Sequence, residues 1–597
     1  MSTAGLDLLR TNPRTYARTA DRTIADPTLF LDFQSATALD PRITFSRGSQ
    51  ATLFDSTGTL KYAKHNLLLQ SQDFATTWSA TNTTIVVNDT TAPDGTVTAD
   101  KATQTSTSNP RVTQQVTVLG QYQFSVFIKY IDIQWIRILI GSNSVWFDVQ
   151  NGLVGTADPD RVGSIEVSAN GFYRLIVNAS NLSGATTFFI IGADANNSVN
   201  ELLGSYYAWG AQLNLANMEG GVTSSLTTYY PTTTAAYYAP CFTYDPATLQ
   251  PQGLLIWEAR TNLLLQSEDF STTWVAARAS VTTNTTVAPN GTLTGDKLIA
   301  TSVSGSHLIS QTISVTAQAY TLTCFAKAGE YNFIQLNIPD PGAGGAGKVG
   351  SFNLSTGTLG VVQDAGVTRT ITSVGNGWYR CSITYTITGA GSSGISFFVT
   401  NTDVRAESFT GNDVNGIFIW GAQLEAGAFA TSYIPTTTTA LTRSADVASM
   451  TGTNFSSWYN ASEGTTYVEA QSPSVAGTYF YYSLNNGTTN EIRLASASSG
   501  SNPTFVVTNT SSSQASIAVT LAAGTAFKAA SAYATDSFSS AVNGTLGTPD
   551  TSGTPPTATS LRIGARSNDT LYVNGYIRRI AYYPTRLPNA TLQGLTA

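Results

Sequence analysis

One phrase occurs twice in this chain. NLLLQSQDFATTW, from Asn66 to Trp78, returns as NLLLQSEDFSTTW, from Asn262 to Trp274, at an offset of 196 residues. Two matches of this length in one register mark a duplicated domain. The correspondence continues along both copies. APDGTVTADK (Ala92–Lys101) against APNGTLTGDK (Ala288–Lys297) keeps the offset at 196. YQFSVFIKY against YTLTCFAKA raises it to 198, FDVQNGLVG against FNLSTGTLG to 205, GFYR against GWYR to 206, and WGAQL against WGAQL to 211. The largest step falls where the second copy carries PDPGAGGAGK (Pro339–Lys348). Insertions at glycine-rich points between strands are loops on a shared scaffold.

Within each copy the segments are short and alternating, and Gly, Asn, Asp or Ser interrupts them every ~8–12 residues, the spacing of an antiparallel sandwich. Charged residues make up 11% of the chain, against a usual ~25%. Aromatics at 10% separate it from a disordered Ser/Thr stalk. The expected fold class is all-β: tandem antiparallel β-sandwich or jelly-roll domains behind a short, non-repeated N-terminal anchoring arm. The Thr-rich exits YYPTTTAAYY (Tyr229–Tyr238) and YIPTTTTALT (Tyr433–Thr442) set the joints. They place an arm at 1–40, a short β-rich segment at 41–64 and a jelly roll at 65–236. A connector at 237–260, a second jelly roll at 261–442 and a third sandwich at 443–597 complete the division. NLLLQS reads as the entry strand of each jelly roll.

A net charge of −7 and a pI near 5.0 argue against a nucleic-acid-binding surface. No apolar run reaches membrane-spanning length, so membrane insertion is not expected. The basic residues Arg10, Arg14, Arg18 and Arg22 recur every four positions and would form one stripe on a helix, although Pro13 interrupts it. They read either as a solvated terminus or as an anchoring arm that orders on an acidic protein surface.

Cys241, Cys324 and Cys381 are an odd, sparse set rather than a disulfide framework. Cys324 and Cys381 align with Val126 and Leu175, as small core hydrophobes would. With two histidines, His65 and His307, and no zinc or nucleophile-elbow motif, no catalytic residues are assigned and no cofactor is expected. Sugar recognition would stack a ring on an aromatic side chain. Trp135 and Trp146 belong to the first copy alone, where the second has Phe333 and the Gly350 region, which makes them ligand candidates beside a core role. Tyr479 and Tyr481 are further candidates, with alternation burying at least one of the tyrosines at 479, 481 and 482. The tryptophans shared by both copies, Trp78, Trp274, Trp209 and Trp420, read as core.

Three stretches carry family resemblances. The repeats, from NLLLQS through Gly-Phe/Trp-Tyr-Arg to WGAQL, resemble the carbohydrate-binding-module-like jelly rolls of tailed-bacteriophage virion proteins. SAYATDSFSSAVNGTLG (Ser531–Gly547), LRIGAR and GYIRRIAYYPTRL (Gly575–Leu587) resemble a concanavalin-A-like or laminin-G-like sandwich. FSRGSQATLFDSTG (Phe45–Gly58) and YDPATLQPQGLLIWEARTNLL (Tyr244–Leu264) resemble one continuous segment of phage fibre and tail proteins, split here by the first jelly roll. The resemblance implies a structural tail or head fibre on the particle surface, adhering to host cell-surface polysaccharide. Its partners would be other virion proteins through the N-terminus and copies of itself in a homotrimer. The rivals are a capsid or collar decoration protein without receptor binding and, in a different class, a capsule depolymerase. Related jelly rolls often carry a structural calcium ion. The candidate ligands are Asp100 and Asp296, which recur at one place, and Glu425, which Asn214 replaces in the first copy; turn capping is the competing role for the aspartates.

Overall fold

The computed structural model describes residues 26–218, 229–471, 477–496 and 502–597. The protein is all-β, built of tandem antiparallel sandwiches, and the α-helices among the described residues are Thr453–Ser456 and Asn589–Thr596. The chain divides into two compact units: Lys61–Ala239, and Pro240–Ala597 together with the segment ending at Leu60.

The unit Lys61–Ala239 is the first jelly-roll-like sandwich. Its inner strands show why the alternating sequence folds this way: WIRILI (Trp135–Ile140) buries Ile136, Ile138 and Ile140 and leaves the residues between them half-buried. Two long strands, Arg111–Tyr130 and Tyr173–Ala193, run through both layers of the sandwich and pair antiparallel along their length. They bend midway, where the register slips between Ala179 and Leu182 and Gly120 and Asn181 take positive φ of 105° and 58°. In the second copy the same two strands are each divided: His307–Val315 and Ala319–Lys327, then Trp378–Thr386 and Gly391–Thr400. That sandwich therefore consists of two separate sheets of six strands. Cys324 and Cys381 lie opposite one another on adjacent strands of one sheet as free, fully buried thiols.

NLLLQS is not a long strand. Only His65–Asn66 and Arg260–Asn262 are extended, each pairing with the end of its own domain, Tyr237–Tyr238 and Leu441–Arg443. Beyond them the backbone turns, with Gln70 and Gln266 at φ of 48° and 49°. The phrase is a latch, and its polar residues do the fastening. Asn262 Nδ2 donates to Ala422 O (3.0 Å) and Ile434 O (2.9 Å), while its Oδ1 accepts from Leu264 N (3.2 Å) and Leu424 N (3.1 Å). Asn66 makes the same four bonds to Ala211, Tyr230, Leu68 and Leu213. Ser71 and Ser267 each accept from a threonine amide of the exit segment, Thr232 N and Thr436 N, at 2.8 Å. Entry segment, WGAQL strand and Thr-rich exit are thus tied into one knot of satisfied buried polar groups.

The third sandwich is assembled from three separate pieces of chain. Leu29–Asp32 pairs with Gly575–Tyr583, and Thr44–Ser46 pairs with Val447–Thr451. Cys241–Tyr244 and Pro251–Ile256 form a hairpin whose second strand also pairs with Gly575–Tyr583. Leu29–Asp32 from the expected arm at 1–40, Thr44–Ser46 from the β-rich segment at 41–64 and the hairpin in the expected connector at 237–260 are therefore strands of the C-terminal sandwich, whereas Thr52–Phe54 is not. Both jelly rolls are insertions into it, and Leu29, Leu31, Ile43, Leu254 and Ile256 sit in its core beside Ile577 and Ile580.

Candidate functional site

Four aromatic positions and a basic stripe were candidates. Arg10, Arg14, Arg18 and Arg22 lie outside the described residues. Tyr481 is in the core of the C-terminal sandwich, 0% exposed and edge-on to Phe527 at 4.9 Å, so it has no face for a ligand. Alternation fails here because the register shifts between Phe480 and Tyr482, a bulge that turns Tyr481 and Tyr482 both inward. Tyr479, 9% exposed, packs edge-on to Phe429.

Trp135 and Trp146 come together on one sheet of the first jelly roll. Register sets the arrangement: Trp135 lies opposite Asp148, and Arg137 lies opposite Trp146. The Arg137 guanidinium stands over the Trp146 ring at 5.4 Å and donates through Nε to Ser144 Oγ at 2.8 Å. Burial lowers the pKa of Arg137, while Glu201 and Asp158 oppose that shift. Trp146 is 3% exposed, and its indole N–H donates to Ser198 O at 2.8 Å, so the loop after Ala193 covers it. Trp135 remains half-buried. It lies against Gly155, where any Cβ would come within 2.7 Å of the ring, and Asn196 crowds the same spot. The resulting surface offers one indole ring, a guanidinium and an amide.

The second copy has a different surface at the corresponding positions. Phe333 and Gln335 replace Trp135 and Arg137, and Ser351, rather than Gly350, replaces Trp146. Gln335 Nε2 donates to Val404 O at 2.6 Å, and its Oε1 accepts from Ala406 N at 2.8 Å. Ser351 Oγ donates to Asp403 Oδ1 at 2.6 Å. A loop closes this face with its own hydrogen bonds.

The calcium candidates do not fit a cation. Asp100 accepts Phe74 N (2.8 Å) and Asn88 N (2.9 Å) on its two oxygens, and Asp296 accepts Phe270 N (3.0 Å) and Asn284 N (2.9 Å). Glu425 is fully buried and accepts from Gln423 Nε2, Thr431 N and Thr431 Oγ1, each at 2.8 Å. Among the described residues no group of three His, Cys, Asp or Glu side chains is placed to hold a metal. The aspartates fasten the turn after NLLLQS to the strand that follows.

Two arginines without a role in the sequence analysis stand at interior positions, Arg47 buried and Arg380 half-buried. Arg47, from FSRGSQ, donates to Asp446 at 2.8 Å with Cys241 Sγ 3.6 Å away. Burial pushes the Cys241 thiol up to about 11, against the pull of Arg47. Arg380, from GWYR, lines a cavity of about 240 Å³ in the larger unit. A charged residue inside an uncharged, aromatic-rich motif was the available signal.

No protein-family model and no curated protein matches this chain.

Proposed function

We propose that the protein is a structural, adhesive component of a tailed-bacteriophage particle, a fibre-type protein whose sandwiches present a weak glycan-binding surface to the host. The observation that carries this reading is the Trp135–Arg137–Asn196 surface. An aromatic ring beside hydrogen-bonding side chains is the chemistry that stacks a sugar and satisfies its hydroxyls, and the second copy of the same scaffold lacks it. The resemblance of the repeats to virion jelly rolls supplies the setting. In that setting the N-terminal segment docks on other virion proteins, and a homotrimer turns weak contacts into useful avidity, gaining ~10²–10⁴.

Purified protein applied to an array of bacterial surface polysaccharides tests the reading. Saturable binding that falls when Trp135 is replaced is the expected result. Failure to bind any lipopolysaccharide or capsule fraction would overturn adhesion and leave the decoration protein as the better reading. Release of reducing ends from a bound polysaccharide would favour the depolymerase.

A further inference from the structure

The cavity in the larger unit lies between the second jelly roll, which contributes Phe325, Thr372, Arg380 and Tyr433, and the C-terminal sandwich, which contributes Trp257 and Tyr576. Arg380 is half-buried at this cavity and poorly satisfied. Its Nη2 reaches Thr323 Oγ1 at 3.4 Å, its Nε has no hydrogen-bond partner, and its guanidinium rests over the Phe325 ring at 5.5 Å. Among the described residues no carboxylate is within ion-pair distance of it. The nearby Glu425 already spends both oxygens on Gln423 and Thr431. Trp257 lines the same cavity, and its Nε1–H also lacks a partner. Two unfilled donors at one cavity, one of them cationic, are costly unless something fills them.

The first copy shows how this arginine is normally accommodated. Its counterpart Arg174 makes two bonds to Ser125 Oγ, at 3.1 and 3.3 Å, and stands directly across the ladder from Glu166. At the position of Glu166 the second copy has Thr372, directly across from Arg380. The counter-charge is missing where the cavity occurs.

We propose that this cavity binds a small oxyanion, the carboxylate of an acidic sugar or an inorganic sulfate or phosphate, with Arg380 as its charge partner and Trp257 as a neutral donor. Aromatic and aliphatic walls suit a compact body behind the anionic group. The site does not depend on the adhesive reading, because it is built from other residues on other strands.

Titration calorimetry of the full chain at constant ionic strength, with sodium sulfate, sodium glucuronate and glucose in separate arms, tests it. Saturable binding of an anion, and none of glucose, is expected. Arg380→Met should weaken that binding about tenfold or more, since charge-assisted hydrogen bonds are lost. Thr372→Glu should weaken it similarly by restoring the first copy's counter-charge, and because Thr372 is exposed the variant should fold whatever becomes of Arg380→Met. Tighter binding of glucuronate assigns an acidic sugar; tighter binding of sulfate assigns an inorganic ion. Failure of both anions to bind the native chain, or undiminished binding to Thr372→Glu, overturns the proposal.

Discussion

Arg47 Nη1 donates to Asp446 Oδ1 at 2.8 Å across 399 residues of sequence, with the two side chains 0% and 3% exposed. Asp446 Oδ2 accepts Trp257 N at 2.8 Å. This pair joins all three pieces of the C-terminal sandwich at one buried point. Removing one partner strands the other charge in a low-dielectric site, so Asp446→Asn should destabilise the sandwich by about 3–5 kcal/mol. The double change Arg47→Met, Asp446→Leu should recover most of the loss. Chemical denaturation of the three variants checks both statements, and an unchanged midpoint for Asp446→Asn would remove the pair's structural role.

The discontinuous sandwich predicts which fragments fold. Residues 61–239 should fold alone, because the His65–Asn66 and Tyr237–Tyr238 ladder holds their ends together and an insertion with adjacent termini is self-contained. Residues 443–597 should not. Without Leu29–Asp32, Thr44–Ser46, the Cys241–Ile256 hairpin and the residues flanking them, they leave sheet edges open and lack six core side chains, Leu29, Leu31, Phe33, Ile43, Leu254 and Ile256. Circular dichroism and gel filtration of the two fragments decide the matter.

Glu268 in the second NLLLQS phrase gives a pH dependence. Burial pushes its carboxyl up to about 7, against a hydrogen bond from Tyr433 Oη at 3.2 Å. A raised carboxyl pKa means the folded state holds its proton more tightly than the unfolded chain. The contribution is fully present below the ordinary glutamate pKa and is lost as pH rises through about 7. Glu268→Gln should therefore stabilise the second jelly roll at pH 8 and flatten this part of the profile. The first copy already has Gln72 at this place. Thermal melts of both forms between pH 5 and 8 measure the difference.

Asp296→Asn and Asp100→Asn should each cost about 1–3 kcal/mol, since an amide can accept only one of the two backbone N–H groups that the carboxylate serves. The losses should match in the two copies and be insensitive to chelator. A melting temperature that falls on adding EDTA would instead point to a bound cation.

Trp135→Ala should reduce glycan binding with little change in melting temperature, because the ring is half-buried at a sheet face. Trp146→Ala should lower stability by about 3–5 kcal/mol, as expected for a buried aromatic. If Trp146→Ala lowers binding and leaves stability unchanged, the assignment of the two tryptophans is reversed.

Duplication and strand class were legible because each is a local property. Repeat register and alternation such as WIRILI are written in neighbouring residues. Tyr481 was not legible, since a one-residue bulge decides which way it points. The polar members of NLLLQS were equally hidden. The partners of Asn66 lie as far as 164 residues away, so the phrase looked like an apolar strand with polar decoration.

The sequence by itself determined that the chain is all-β, that one sandwich is used twice, and that the copies differ at Trp135, Trp146 and the Pro339–Lys348 insertion. Only the tertiary structure decided that the third sandwich is discontinuous, that NLLLQS is a latch, and that Arg380 has lost the carboxylate its counterpart faces. The physical reason is common to all three. Strand pairing and buried-charge compensation are settled between residues distant in sequence, and a strand of three or four residues such as Leu29–Asp32 carries no mark of the partner it will find.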